Sequence, residues 1–122
     1  MPDTRNLLKF EVLGALATGT LLDQAVLPFN GEIVNAAAQV TIAGATTNIV
    51  CDLLKNGVSI YTTAANRPTV LAGALISSAA NQALRPDVTK FVVGDVLSLS
   101  LTSVGTTTTG SNLDVTVQYI AT

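Results

Sequence analysis

The C-terminal third of the chain carries the plainest alternation of apolar and polar positions. In "FVVGDVLSLSLTSVG", Leu97, Leu99 and Leu101 fall on one side and Ser98, Ser100 and Thr102 on the other. That is the period of two of a β-strand. After the polar run "TTTTGS", "NLDVTVQYI" alternates again, setting Leu113, Val115, Val117 and Tyr119 against Asp114, Thr116, Gln118 and Ile120. The two segments predict an antiparallel pair that closes the domain. Near the N-terminus, Leu8-Lys9-Phe10-Glu11-Val12 alternates apolar and charged residues, as a half-buried strand does. In the middle, "LLKNGVSIYTT" contains Asn56-Gly57. A two-residue type I′ turn needs positive φ at both central positions, which Asn and Gly tolerate best. The flanks predict a hairpin of Thr47–Leu54 and Val58–Thr62.

The remaining segments are less regular. "GALATGTLLDQAVLPFNGE" has apolar mass broken by Gly14, Gly19 and Pro28, and predicts a short strand or irregular crossover ending at an Asn30-Gly31 turn. "GEIVNAAAQVTI" suits a strand or a short helix: its Ala run favours helix, while Val34, Val40 and Ile42 favour a long strand. Val70 to Ala83 is uncharged and Ala-rich, and fits strand, loop or helix. Arg67-Pro68 and Arg85-Pro86 bracket it, and a residue before proline prefers extended geometry, which favours short strands there. Several short strands with turn signals between them predict an all-β fold, an antiparallel β-sandwich. The expected organisation is an N-terminal arm, residues 1–8, followed by one sandwich domain, residues 9–122.

Charge sharpens this picture. Only 11% of the 122 residues are charged, less than half of the roughly 25% usual for soluble domains. Such a surface suits burial against other subunits. Arg5, Lys9, Lys55, Arg67, Arg85 and Lys90 are scattered, so no cationic stripe offers itself to nucleic acid. Ile33 to Cys51 is free of charge, but Asn35, Gln39, Thr41 and their like make it a poor membrane span. The one cysteine, Cys51, shares a strand face with Ile49 and Leu53 and reads as a small buried hydrophobe.

Histidine is absent, which removes Ser-His-Asp and Cys-His arrangements. No CxxC pair, phosphate-binding glycine loop or dense acidic loop occurs, so neither a cofactor nor a metal is expected. Asp52, Asp95 and Asp114 could in principle supply paired carboxylates for glycoside cleavage. For Asp95 a turn role in "VGDV" is the simpler expectation. Tyr61 and Tyr119 are the best candidates for stacking on a sugar, though strand tyrosines commonly serve packing.

Together "VCDLLKNGVSIYTT" and "FVVGDVLSLSLTSVG", followed by a polar loop and a final strand, resemble the small jelly-roll domains of tailed-phage head-decoration proteins and fibre heads. More distantly they resemble trimeric jelly-rolls of the tumour-necrosis-factor type. The resemblance covers Gly31 to Ile120. It implies a homotrimer that is made in the host cytoplasm and binds the phage major capsid protein on the virion surface. The alternative it implies is a fibre or spike head that binds a host carbohydrate. An enzyme, a nucleic-acid binder and a membrane protein are not expected. Chain termini are loose unless tied down. The segment Met1 to Leu8 is therefore expected to become ordered on a neighbouring subunit or the capsid, with Arg5 as a polar anchor and Leu7 or Leu8 as an apolar one.

Overall fold

In the computed structural model, which describes residues 5–77 and 86–121, the two best-patterned segments become the centres of two different sheets. In chain order the strands are β1 (Arg5–Ala15), β2 (Gly19–Val26), β3 (Gly31–Ile42), β4 (Ile49–Lys55), β5 (Val58–Ser59), β6 (Thr69–Val70), β7 (Lys90–Phe91), β8 (Val96–Ser103) and β9 (Ser111–Ala121). One sheet has the order β1-β9-β3-β7 and the other β2-β8-β4-β5, with β6 also pairing with β4. All named pairs are antiparallel, and the architecture is an all-β sandwich.

The pairing is nested. The first strand pairs with the last, β2 with β8, β3 with β7, and β4 with β5 and β6. The chain is thus one long two-stranded ribbon curled until β9 also meets β3 and β8 also meets β4. That wrapping is jelly-roll-like. It explains why β8 and β9, expected to pair with each other, do not. Each has an apolar face that needs cover, and opposite sheets let Leu97, Leu99 and Leu101 share one core cluster with Leu113, Val115 and Val117.

Two irregularities fit the remaining segments to this core. In β3 the register against β9 slips between Ile33 and Asn35. An extra residue in one strand reverses which side chains face inward. Ile33 is buried before the slip, and Ala36, Ala38 and Val40 after it. The strand therefore keeps its small residues inside, and the Ala run does not become helix. In β2 a similar slip between Gly19 and Asp23 leaves Leu21 at φ 54°.

The Asn56-Gly57 hairpin forms, with φ 52° and 84° at its two central residues. Its second strand is much shorter than expected, because the chain leaves β4 after Ser59 and returns to it only at Thr69–Val70. The segment before Asn30-Gly31 forms β2, and from there the chain crosses to β3 in the other sheet. Of Val70 to Ala83, Val70 is in β6, and the stretch to Ser77 is irregular apart from a bridge between Gln39 and Ile76. Residues 78–83 lie outside the described residues. So do residues 1–4 of the expected arm; Arg5 to Leu8 pair with Ile120 to Val117 as the start of β1.

Gly31 sits at a tight junction between β3, β7 and β9. A Cβ there would sit 2.5 Å from the Ile120 carbonyl oxygen and 2.6 Å from Phe91 Cζ. The oxygen belongs to a paired strand and cannot swing aside. Gly31→Ala is therefore expected to cost about 1–3 kcal/mol, read as a lower urea midpoint with an unchanged slope.

Candidate functional site

At one end of the sandwich three loops are bonded into a single unit. They are the β2–β3 loop, the β4–β5 turn and the β7–β8 turn. Gly94 donates to the Leu27 carbonyl at 2.8 Å, and Leu27 donates to the Asp95 carbonyl at 2.8 Å. The Val93 amide donates to Asn30 Oδ1 at 2.9 Å. Asn56 joins the third loop. Its backbone N–H donates to the Val96 carbonyl at 2.8 Å, its Nδ2 donates to Asp95 Oδ1 at 2.9 Å, and its Oδ1 accepts the Val96 amide at 2.9 Å. Gly94, at φ 92°, lets the last turn bend so that Asp95 Oδ2 accepts the Val92 amide at 2.9 Å. The turn role expected of Asp95 is what it performs, and the clasp on Asn56 is an addition the sequence did not show.

This fixed end presents apolar side chains to solvent. Val26, Val58, Val92 and Val93 are 66%, 71%, 58% and 61% exposed. They flank the clasp: Val26 is opposite Val96 in the ladder, Val58 follows Gly57, and Val92 and Val93 precede Gly94. Beside them an open groove of about 380 Å³ is lined by Asn30, Gly31, Glu32, Lys90, Phe91 and Val92. One of its lining residues, Phe91, belongs to an aromatic trio. Phe29 stacks on Tyr119 at a centroid distance of 5.1 Å and meets Phe91 edge-on at 5.7 Å. Contacts of this kind contribute about 0.5–1.5 kcal/mol beyond area burial.

A second polar cluster lies on β4 and its return strand. Asp52, 5% exposed, accepts from Ser59 Oγ at 2.7 Å and pairs with Arg67 at 3.5 Å, and it stands opposite Ser100 in the ladder. Ser98 and Ser100, on the strand side opposite the leucines, are also buried. Among the described residues, Tyr61 Oη, Arg67 Nε and Ser100 Oγ have no hydrogen-bond partner. Burial raises the Tyr61 phenol above its ordinary value, and the nearby Asp52 carboxylate adds to the rise. Burial, and then Asp52, push the Cys51 thiol up to about 12. A thiol held protonated in this way is a packing group, not a nucleophile.

The three aspartates considered for hydrolysis occupy three different places. Asp52 is paired inside its sheet and Asp95 is spent on the turns. Asp114, on the outer face of β9, meets Lys9 at 3.7 Å and Gln39 at 3.4 Å. The two candidate stacking tyrosines are committed to packing: Tyr61 is 1% exposed, and Tyr119 lies in the aromatic trio. Among the described residues no group of three or more potential metal ligands gathers. Among them, too, no helix is long and apolar enough to cross a membrane.

Leu7 and Leu8 do not share one surface, and the Arg5 side chain lies outside what the structure describes. The alternation of β1 turns Leu8 toward the core, where it packs, and leaves Leu7 67% exposed on the outer face. Of the two leucines, Leu7 is the one free to meet a partner. The valine-bearing end was missed because its valines come from three separate segments. Only the nested pairing brings them together.

No family model matches the chain, and no curated protein matches it.

The Val92 amide first, and then the Asn56 side-chain amide, hold the Asp95 carboxyl below its ordinary value. A carboxyl depressed by folding adds stability above its unfolded value and loses it as pH falls through the folded one. The melting temperature should therefore fall on acidification below about pH 4, where the unfolded carboxyl takes up its proton before the folded one does. Asp95→Asn should show a shallower drop, and equal slopes for the two proteins would contradict the clasp.

Proposed function

We propose that this protein is a structural, non-enzymatic interaction module, a trimeric capsid-decoration protein of a tailed phage that bridges shell subunits. The observation that carries the proposal is the pre-ordered end with four valines more than half exposed, in a chain with only 11% charged residues. Ordering a surface before it binds removes an entropic cost of association. Exposed apolar groups on a rigid frame suit a partner that covers them permanently. The nested ribbon supports the same reading as architecture, since jelly rolls recur in viral capsid and lectin domains. Fold alone does not assign function. In this proposal the valine-bearing end docks on the major capsid protein, Leu7 on the outer face of β1 serves the contact between copies, and three copies close a ring without leaving open surfaces. The competing proposal of a carbohydrate-binding head draws no support from Tyr61 or Tyr119, both of which are engaged in packing.

Sedimentation and capsid co-pelleting test the two contacts separately. The wild type is expected to sediment as a trimer and to pellet with undecorated capsids. Val92→Asp with Val93→Asp should keep the trimer and weaken capsid retention by at least tenfold, roughly the loss of one hot-spot contact. Leu7→Asp should impair the trimer instead. A stable monomer at micromolar concentration, or undiminished retention by the valine variant, would count against the proposal.

A further inference from the structure

We propose that Asn56 is a deamidation site whose conversion to an acid unfastens the three-loop end of the sandwich irreversibly. This inference stands independently of the proposed function.

The chemistry needs only water. The backbone nitrogen of Gly57, once deprotonated, attacks Cγ of Asn56. The Cγ–Nδ2 bond breaks, ammonia leaves with the proton, and a five-membered imide forms. Water then adds to one of the two imide carbonyls and opens the ring to aspartate or isoaspartate. Glycine at the following position removes the side chain that would hinder closure. Gly57 has φ 84° and nothing within 4 Å of where a Cβ would stand.

In the closed structure the same amide is held on both its atoms. Nδ2 donates to Asp95 Oδ1 and Oδ1 accepts the Val96 amide, each at 2.9 Å. Those bonds fix the side chain on the β7–β8 turn, so imide formation must wait for the clasp to open. Deamidation at this position therefore reports local opening of the end that bears the valines.

The product cannot refasten. Aspartate at position 56 has no N–H to give Asp95, and it sets a second carboxylate against the first at hydrogen-bonding distance. Two carboxylates in one site cannot both ionise freely. Isoaspartate does more damage, because it adds a backbone carbon to a turn whose two-residue length fixes the β4–β5 register. Either product loosens the loop junction while the core strands remain paired.

The test follows conversion at position 56 by peptide mass mapping, at mildly alkaline pH, with the protein folded or held in concentrated urea. Conversion is expected to be at least about tenfold slower in the folded protein, as protection by local structure requires. Asp95→Ala, which removes half the clasp and leaves Asn56-Gly57 untouched, should speed conversion under native conditions. If that variant does not fold, Asp95→Asn serves in its place. Asn56→Asp should melt below the wild type at neutral pH, with the gap narrowing on acidification as one carboxyl takes up a proton. Equal conversion rates in folded and unfolded protein would overturn the proposal. So would an Asn56→Asp variant that melts with the wild type at neutral pH.

Discussion

Leu97, Leu99 and Leu101 of β8 and Leu113, Val115 and Val117 of β9 belong to one buried cluster, although the two strands lie in different sheets. Burying each such side chain contributes about 1.5–3 kcal/mol, and the two strands carry it along most of their lengths. β9 also supplies ladder partners to both β1 and β3, and β8 to both β2 and β4. Removing β9 would leave β1 without its partner strand and β3 with only the two-residue β7, and removing β8 would leave β2 without its partner strand and β4 with only the short β5 and β6. The edges are short or interrupted by comparison. β5 and β7 have two residues each, β2 is bulged, and the Glu11 amide on β1 is capped by Asp23 at 3.0 Å. Such devices blunt an edge against unwanted pairing.

This arrangement explains how a weakly charged chain can hold a fixed surface. The core settles which residues are spent on packing, and at one end the loops left over are bonded to one another through Asn56, Asp95, Asn30 and Leu27. Apart from Leu27, which is buried in the core, and Phe29, which packs against it, side chains in those loops need not contribute to the core. The valines there are thus free to face outward, and they support the proposal of a docking end for a large partner. The same bonding concentrates the vulnerability of that end in one side-chain amide.

Local signals were legible wherever chemistry and pattern agreed over a few residues. The Asn56-Gly57 turn, the inward sides of β8 and β9, the burial of Cys51 and the turn role of Asp95 could all be read from the chain. Three features could not, because each depends on partners distant in sequence. The separation of β8 from β9 follows from wrapping the whole ribbon. The burial of Ser100 goes with a cluster in which its ladder partner Asp52 meets Arg67 and Ser59, and Ser98 lies between Gln24 and Leu54 in the ladder. The inward facing of Ala36, Ala38 and Val40 follows from the slip beyond Ile33. The valine-bearing end is of the same kind, since no local window contains all four of its residues.

Native-state hydrogen exchange, resolved by residue, tests the central claim most directly. If β8 and β9 organise the fold, amides of Leu99 and Leu101, and of Val115 and Val117, should exchange only through global unfolding. Their protection should then track the free energy measured by urea denaturation. Amides at the ends of β1 and β2 and in the β5–β7 segments should exchange through smaller openings. Exchange of the β8 or β9 amides as fast as those edge amides would contradict the account, because it would show that the central strands can open while the rest of the sandwich stays closed.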